Sequence, residues 1–322
     1  MSKENRIAII IAAFNAEDYI ERCIQSIQKQ TYPNWIAYIV NDGSSDNTSE
    51  VLAAIRLKEE RVVYLDIENS GVFCARRKAI EMVENCKYLT FLDSDDYFVD
   101  DELFEKCIDK MELNNIDCLC FNYERYDGIL GFKSKNEVIW TEKEEIIKNL
   151  LNGQYMDGNM PYTIYLTENI KENFEIYSYN NDDFLNKYKI LLDTKKVAYE
   201  PWCGYHYYYN KKSQTHRDLR ENDYLYYEHA KSFVKKIEED YPELQIECDY
   251  FRCKVLLWLA GKLSQKKLYK KFKMYGFIMQ EFRDNKKIFV KNSYFTKKDK
   301  LLFYLIQMRL FGICYKIYHA IQ

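Results

Sequence analysis

Three carboxylates within four residues, Asp93-Ser94-Asp95-Asp96, are the strongest indication of chemistry in this sequence. Like charges at such short spacing repel one another, and a divalent cation removes that cost because Mg²⁺ and Mn²⁺ prefer oxygen ligands. Mg²⁺ usually takes only one or two protein carboxylates and completes its coordination with water and phosphate oxygens. The alternative is a solvated acidic turn before the helix predicted from Asp101. Because the cluster follows a predicted buried strand, we favour a metal site.

The segment Asn41-Asp42-Gly43 follows another predicted strand and has two interpretations. Triplets of this kind most often form a turn before a helix. A carboxylate at the end of a strand can also accept a hydrogen bond from a nucleobase N–H. Phe14, which follows the first strand, can stack on such a base, although packing in the core is as compatible with its residue type.

Arg76 lies in a helix that is predicted to begin just after Gly71. A guanidinium pairs well with phosphate oxygens, so that Arg76 can bind a diphosphate. A surface salt bridge is the common alternative for a helical arginine. All these polar clusters follow predicted strands, and ligands of a doubly wound sheet bind at the carboxyl ends of its strands. We therefore expect the clusters to line one crevice.

Strands and helices alternate over the first 125 residues, which is typical of a parallel sheet with helices on both faces. Short β-branched runs predict the strands, and capping residues mark the helices between them. Asn15 is predicted to cap the first helix, with Asp18 at its third position. The predicted strands are 7–11, 35–40, 62–66, 88–92 and 117–123, and the predicted helices are 15–30, 44–56, 72–84 and 101–114.

The rest of the chain is less regular up to about residue 216 and helical beyond it. We therefore expect an α/β domain over 1–216, followed by a helical region over 217–322. The elements predicted in the later part of the first domain are a helix from a capping box at 141–144 to about residue 151, a helix over 181–192, and short strands over 197–200 and 205–209.

Taken together, the motifs resemble the inverting glycosyltransferases of family 2, which have the GT-A fold. The resemblance is specific over residues 6–110 and looser to about 216. It implies a Rossmann-like, mostly parallel sheet and transfer of a sugar from a nucleotide diphosphate donor. The matching segments are Ile7–Asn15, Gln30–Pro33, Val40–Asp46, Asn69–Gly71 with Ala75-Arg76, and Phe91–Asp96.

The same resemblance implies roles for individual residues. Asp42 binds the uracil, the ring of Phe14 packs on the base, and Asp93 and Asp95 belong to the metal and diphosphate site, with Mn²⁺ or Mg²⁺ as the cation. The sequence departs from the family pattern at Ala12-Ala13, where Pro and a small polar residue are usual, and at Phe14, where Tyr is usual. The implied donor-binding residues are Ala12, Phe14, Asn15, Asp42, Arg76, Ser94, Asp95 and Lys212.

A general base is implied by a Glu-Asp pair that opens a helix in this family. Asn181-Asp182-Asp183 stands at the corresponding place, and alignment of the Leu-Asn that follows makes Asp182 the base. Asn181 replaces the Glu of the pair, and Asp183 is a close competitor. The alternative for Asp182 is a helix cap.

The segment 207–213 with His216 resembles the closing loop of the same family. Such a loop can fold over the diphosphate and bind it with Lys211, Lys212 or His216. As plain sequence it is only a basic turn, so the assignment of Lys212 to the donor site depends on the resemblance.

Charge is distributed unevenly along the 322 residues. Residues 262–322 contain 15 Lys or Arg and 3 Asp or Glu, a net charge of +12, which leaves −15 for residues 1–261 in a chain of net charge −3. The interrupted apolar run 301–321 is typical of an interfacial amphipathic helix on an anionic membrane. A helix docked on the catalytic domain with a solvated basic face is the alternative. No recognition motif accompanies the charge, which argues against nucleic acid as a partner.

These features predict a metal-dependent, inverting glycosyltransferase that moves a sugar, preferably from a UDP-sugar, to a hydroxyl of a cell-surface or lipid-linked glycan. Without a secretory signal or an apolar run of about 18 residues, we expect a cytoplasmic protein, peripheral at the inner face of the membrane. A catalytically silent nucleotide-sugar-binding or scaffold protein is one alternative, which Asn181 favours. A sugar-1-phosphate nucleotidyltransferase is another, but segment 12–15 lacks the Gly-rich loop of that class.

Overall fold

The computed structural model describes residues 5–176, 182–211, 213, 219–264, 272–310 and 313, and of Asp182 only the backbone. The chain divides into two units. One comprises Met1–Tyr177 with Asp182–Lys211, and the other comprises Ser178–Asn181 with Lys212–Gln322. The boundary predicted near residue 216 falls outside the described residues and stays a prediction.

The first unit consists, in its described part, of a nine-stranded sheet and seven helices. The strands are β1 (Ile7–Ala13), β2 (Trp35–Asp42), β3 (Val62–Ile67), β4 (Tyr88–Phe91), β5 (Tyr97–Phe98), β6 (Cys118–Arg125), β7 (Val138–Trp140), β8 (Thr163–Leu166) and β9 (Val197–Tyr207). The helices are α1 (Ile20–Gln28), α2 (Thr48–Arg56), α3 (Val72–Glu81), α4 (Leu103–Asn114), α5 (Lys143–Asn152), α6 (Thr167–Asn173) and α7 (Asp182–Asp193).

The sheet has the order β3-β2-β1-β4-β8-β6-β9-β5, and β7 also pairs with β9. β1 to β4 pair in parallel, whereas β8 lies antiparallel between β4 and β6. β6 and β9 pair in parallel, so that six of the nine described strands run in one direction. The mostly parallel sheet is therefore confirmed, and the polar segments after these six strands reach the same edge.

Burial explains the apolar character of the central strands. The run Ile7–Ile11 in β1 is at most 1% exposed, and β2 and β4 are almost fully buried. A strand that is covered on both faces has a continuous apolar sequence instead of an alternating one. This property made β1, β2 and β4 predictable from sequence.

Four elements of the first unit, β5, β7, β8 and α6, are missing from the sequence prediction. Each has seven residues or fewer, which is too short for a clear hydrophobic period. The most consequential is β8, since its insertion between β4 and β6 makes the sheet mixed. The strands predicted over 197–200 and 205–209 are a single strand, β9, which is irregular in its register with β6.

The prediction that Asn15 caps the first helix is wrong, because α1 begins at Ile20. Asn15 has a left-handed backbone with a φ of 50°, and its side-chain oxygen accepts a hydrogen bond from the N–H of Ser45 in the next loop. The side chain therefore links two loops that are distant in sequence instead of serving its own helix.

The second unit is helical, as predicted for the region beyond residue 216, and has its own apolar core. Ring centroids of Phe282 and Phe289 lie 5.3 Å apart, and those of Phe289 and Phe303 lie 4.5 Å apart, which joins its last three described helices. No helix in the described segments combines the length and the apolar composition needed to cross a bilayer. The described helices of this unit are α8 (Leu225–Asp240), α9 (Gln245–Ser264), α10 (Met274–Asp284), α11 (Lys286–Lys291) and α12 (Lys297–Gln307).

Candidate active site

Hydrogen bonds tie the segment after β1 to the segment after β2. The backbone N–H of Asn15 donates to Ser44 Oγ at 2.8 Å, and the N–H of Ser45 donates to Asn15 Oδ1 at 2.8 Å. The left-handed backbone of Asn15 turns the chain at this point. Phe14, just before the turn, is 52% exposed, which excludes core packing as the role of its ring.

Asp42, the last residue of β2, is buried and accepts three hydrogen bonds from the segment that precedes α3. Ser70 donates its N–H at 2.7 Å and its hydroxyl at 3.0 Å to Asp42 Oδ1, and the N–H of Gly71 donates to Oδ2 at 2.9 Å. A carboxylate has about four acceptor positions. Asp42 can therefore stabilise this turn and still accept one more hydrogen bond from a nucleobase.

Gly43 permits the close approach of the loops after β2 and β3. Its φ is +69°, and a Cβ atom at this position would lie 2.6 Å from the backbone nitrogen of Asn69. Because the clashing atom belongs to the backbone, no side-chain rotation can relieve the contact. Asn69 Nδ2 also donates to the carbonyl oxygen of Asp42 at 2.9 Å, which holds the two loops together.

Arg76 in α3 is only 4% exposed, so the surface salt bridge considered from sequence is excluded. Its guanidinium donates to Asp93 Oδ1 at 2.8 Å and to Asp183 Oδ1 at 2.5 Å. Burial lowers the pKa of this guanidinium, but the negative charges of Asp183 and Asp93 outweigh burial and raise the net pKa above its usual value. Arg76 therefore joins the loop after β4 to the first turn of α7.

The adjacent acids at the start of α7 are described to different extents. Burial raises the pKa of the Asp183 carboxyl above its usual value, against the opposing effect of Arg76. Asp182 is the first residue of α7, and its side chain lies outside the described part of the chain. The acid that the structure brings to Arg76 is thus Asp183, the competitor named from sequence. Asn181, Lys212 and His216 also lie outside the described residues.

Asp96, the last acid of the cluster after β4, has a structural environment. It is 1% exposed, and its two oxygens accept hydrogen bonds from the Tyr205 hydroxyl at 2.5 Å and from the Tyr208 N–H at 2.8 Å. Burial and the charges of Asp93 and Asp95 raise its pKa well above its usual range. These contacts fix the loop after β4 against β9.

Asp93 and Asp95 fit a divalent cation by the chemistry of their oxygens. Asp95 is half-buried and accepts a hydrogen bond from Asn210 Nδ2 at 2.9 Å. Burial and the charge of Asp93 raise the pKa of Asp95, and a cation would relieve both effects. Among the residues described, no three His, Cys, Asp or Glu side chains form a metal site on their own. A pair is sufficient where phosphate and water complete the coordination.

Arg22 in α1 belongs to this site although the sequence gives no sign of it. It donates to the carbonyl oxygen of Asp95 at 2.6 Å, across 73 positions of the chain. Its guanidinium carbon lies 4.6 Å from the ring centroid of Tyr97 and 4.0 Å from that of Tyr208. Cation–π contacts of this kind hold a guanidinium in place. Arg22 therefore fixes the backbone of the acidic loop.

Two other residues of the predicted donor site lie at the same edge. Ala12 is the second-last residue of β1 and is half-buried. Ser94 is half-buried between the two acids that fit a cation. The structure thus places the predicted donor residues at or after the same edge of the sheet, except Lys212, which lies outside the described residues.

The carboxyl ends of parallel strands, with an exposed ring, a carboxylate acceptor and a pair of acids for a cation, can bind a nucleotide diphosphate. Such a site on this mixed α/β sheet, followed by a helical region, defines a glycosyltransferase of the GT-A fold. The family model "Glycosyl transferase family 2" matches residues 8–174, more than half of the chain. The chain belongs to glycosyl transferase family 2, and this membership removes the nucleotidyltransferase alternative.

Characterised proteins show the same relationship. The chain is 36% identical over 203 residues to the UDP-Glc:alpha-D-GlcNAc-diphosphoundecaprenol beta-1,3-glucosyltransferase WfgD of Escherichia coli, covering 62% of this chain and 74% of WfgD. It is 28% identical over 212 residues to glycosyltransferase GlyA of Streptococcus pneumoniae, covering 62% of this chain but only 30% of the length of GlyA. The crystal structure of S. aureus TarS 1-349 with UDP-GlcNAc has a TM-score of 0.69 at 17% identity, covering 98% of this chain and 91% of the TarS chain, and shows the shared fold.

Loss of the buried arginine tests the ion-pair network. Arg76→Met is expected to lower the free energy of unfolding by up to about 3 kcal/mol. This value is at the lower end of the range for a broken buried ion pair, because Asp93 and Asp183 keep some contact with solvent. Urea unfolding of the full chain measures the change. Adding Asp183→Leu removes one of the two unpaired charges and is expected to recover part of the loss.

Lys78→Met provides the control for this experiment, because Lys78 lies on the same helix and pairs with Glu81 at the surface. Its effect is expected to stay within about 0.5 kcal/mol, as for other exposed pairs. Equal losses for Arg76→Met and Lys78→Met would contradict the network.

Proposed function

We propose that this glycosyltransferase moves a sugar from a UDP-sugar to a hydroxyl of a growing cell-surface glycan, free or lipid-linked, with inversion at the anomeric carbon. The observation that carries the donor class is an exposed ring, Phe14, next in sequence to Ala13, whose register partner Asn41 precedes the buried Asp42. The Asp42 carboxylate keeps one acceptor position. The name of WfgD includes a UDP-Glc donor and a diphosphoundecaprenol-linked acceptor, and TarS was solved with UDP-GlcNAc. Both support a UDP-sugar donor, and the name of WfgD supports a lipid-linked glycan acceptor.

In this proposal the donor is bound in two parts. Phe14 stacks on the uracil while Asp42 accepts its N–H, and the backbone at Ala12 and Asn15 lines the nucleoside. We assign Arg76, Ser94, Asp95 and Lys212 to the diphosphate side. The contact of Arg76 with Asp93 also orients that acid toward the phosphates.

The acceptor hydroxyl reacts in a single displacement. Asp182 takes its proton as general base, and the hydroxyl oxygen forms a bond to the anomeric carbon from the side opposite the diphosphate. The bond between that carbon and the diphosphate oxygen breaks at the same time, so that the configuration is inverted. An α-linked donor therefore gives a β-linkage. Asp183, bound to Arg76, positions the first turn of α7.

Asp93 and Asp95 are the residues that would hold Mn²⁺ or Mg²⁺. When bound, the cation supplies Lewis-acid neutralisation of the negative charge on the departing diphosphate. Enzymes of family 2 generally use a divalent metal, and the oxygen ligands here suit one.

A catalytically silent nucleotide-sugar-binding protein is the second candidate, and Asn181 in place of the family's Glu favours it. Both candidates bind UDP, but only the transferase releases UDP from a UDP-sugar when a glycan acceptor is added. A thermal-shift screen of nucleotide-sugars with and without Mn²⁺ selects the donor. Release of UDP in the presence of candidate acceptors then separates the two functions.

The metal assignment predicts that Asp95→Ala abolishes transfer and removes the Mn²⁺-dependent part of the stabilisation by UDP. The physical reason is loss of the counter-charge to the diphosphate. Thermal shift with and without a chelator measures binding, and UDP release measures turnover. Asp101→Ala, at an exposed acid beyond β5, is the control and should behave as wild type. Near-normal turnover of Asp95→Ala in chelator would show that the metal role is wrong.

The base assignment predicts that Asp182→Asn lowers turnover by about two orders of magnitude or more, while UDP affinity stays nearly intact. Asp183→Asn is the matched control, since it is expected to lose stability through Arg76 more than turnover. Steady-state kinetics, calorimetry with UDP and urea unfolding of both variants give the three readouts. An inactive Asp183→Asn beside an active Asp182→Asn would reverse the assignment.

We also propose that the enzyme is cytoplasmic and attaches reversibly to the inner face of an anionic membrane through its second unit. One side of α12 is buried in the core of that unit. On the other side, Leu301 and Tyr304 are 48% and 44% exposed at helical spacing, and Met308, the residue directly after α12, is 59% exposed. Lys297, Lys298 and Lys300 lie at the start of the same helix.

This attachment predicts that the full chain co-sediments with phosphatidylglycerol vesicles at low salt and dissociates as ionic strength rises. Each basic residue at the surface contributes about 1 kcal/mol, and salt screens that term. Leu301→Glu combined with Met308→Glu is expected to prevent binding, whereas Leu113→Glu, on the exposed side of α4 in the first unit, is not. Failure of the wild-type chain to bind these vesicles at low salt would exclude the membrane role.

A further inference from the structure

A row of tyrosines leads outward from the acidic cluster along β9. Tyr205 donates its hydroxyl to Asp96 Oδ2 at 2.5 Å, and side chains two apart on a strand share a face, so Tyr207 points to the same side. The Tyr126 ring centroid lies 6.4 Å from that of Tyr207 and 4.8 Å from that of Tyr209. Three rings are therefore in contact just beyond the carboxylates.

The topology places this ring cluster at the edge that carries the candidate site. β6 and β9 pair in parallel, with Arg125 opposite Tyr207 at their carboxyl ends. Asn210, next in sequence to Tyr209, donates to Asp95 Oδ2 at 2.9 Å. With a rise of about 3.3 Å per residue, Tyr207 lies roughly 7 Å beyond Tyr205 at the end of β9. Tyr209 follows in the segment after β9, between Tyr208 and Asn210, which donate hydrogen bonds to Asp96 and Asp95.

Exposure distinguishes these rings from the other tyrosines of the first unit. In the described part of the chain only three tyrosines are strongly exposed, and two of them are Tyr126 and Tyr209, at 38% and 41%. The third, Tyr304, belongs to the second unit. The planes of Tyr126 and Tyr209 are inclined at 54°, so the pair forms an open angle instead of a closed stack. Exposed apolar groups that contact one another often mark a binding site, and these two rings lie near the candidate active site.

Polar groups accompany the rings. Arg125 donates to Asp127 at 2.8 Å, which puts a donor-bearing and an acceptor-bearing side chain beside Tyr126. The guanidinium carbon of Arg125 lies 5.7 Å from the Tyr126 ring centroid. A pyranose has C–H groups on its ring faces and hydroxyls on its rim, so aromatic faces flanked by such polar groups match its chemistry.

We propose that Tyr126, Tyr207 and Tyr209 form an acceptor platform that stacks on the sugar preceding the reacting unit of a glycan of two or more sugars. The proposal rests on the proposed function, because it assigns a further part of the same site. The reacting hydroxyl then lies toward the acidic cluster, and the rest of the glycan extends over the rings. The enzyme therefore prefers an oligosaccharide acceptor to a monosaccharide.

Binding to an array of oligosaccharides of increasing length, in the presence of UDP and Mn²⁺, tests the platform independently of turnover. The full-length wild type is expected to retain glycans of two or more sugars and not the monosaccharides. Tyr126→Ala and Tyr209→Ala are each expected to weaken that retention about tenfold, because this factor corresponds to the free energy that one aromatic contact contributes. Tyr126→Phe and Tyr209→Phe keep the ring face and should retain the glycans. Calorimetry with UDP on each variant reports donor binding separately.

Ile139→Ala is the matched control, since Ile139 is 42% exposed on β7, which pairs with the opposite end of β9. Array binding that is unchanged in both Ala variants, or lost equally in the Phe variants, would overturn the stacking platform. So would a wild type that binds UDP but retains no glycan. A wild type that binds no UDP would instead contradict the proposed function.

Discussion

Acidic side chains crowded at one edge of the sheet are the constraint on which this site depends. Carboxylates at short distances repel one another and lose hydration, so each requires donors or an opposite charge. The Tyr205 hydroxyl and the Tyr208 N–H donate to Asp96, and backbone N–H groups just before α3 donate to Asp42. The buried guanidinium of Arg76 compensates the charges of Asp93 and Asp183. Asp95 accepts a side-chain hydrogen bond from the amide of Asn210, but burial and the charge of Asp93 still raise its pKa, and a bound cation would oppose both effects.

The same contacts couple the two ends of the site. Asp42 receives the N–H groups at the start of α3, where the helix dipole also favours a negative charge. Its contact sets the position of α3, and α3 carries Arg76 into the crevice between Asp93 and Asp183. Asp42 and the first turn of α7 therefore both contact α3 or the segment that leads into it, although they are far apart in sequence.

What the sequence could predict followed from local pattern, and what it missed depended on distant contacts. Continuous β-branched runs identified the buried strands, and polar residues after them identified the edge where the loops meet. The cap assigned to Asn15 failed because a donor from Ser45, in another loop, competes with the helix for its side chain. Arg22 has no local signature, since its role comes from contacts with Asp95 and two rings. β8 was missed because four residues carry too little pattern, and its insertion decides the order of the sheet.

The structure describes residues 301–310 and 313 of the apolar run predicted over 301–321, and the rest of that run lies outside the described residues. A helix that is apolar on all sides is usually buried on all sides. In α12, Leu302, Phe303 and Ile306 are buried in the core of the second unit, whereas Leu301 and Tyr304 remain exposed on its other side, followed by the exposed Met308 just after the helix. The helix is thus docked, but within its own unit, and it still presents an apolar stripe next to lysines. Truncation at residue 262 would remove much of the core that holds α9 in place, so it would unfold the unit whether or not a membrane binds there. Substitutions confined to the exposed stripe leave that core intact, and only they separate attachment from folding.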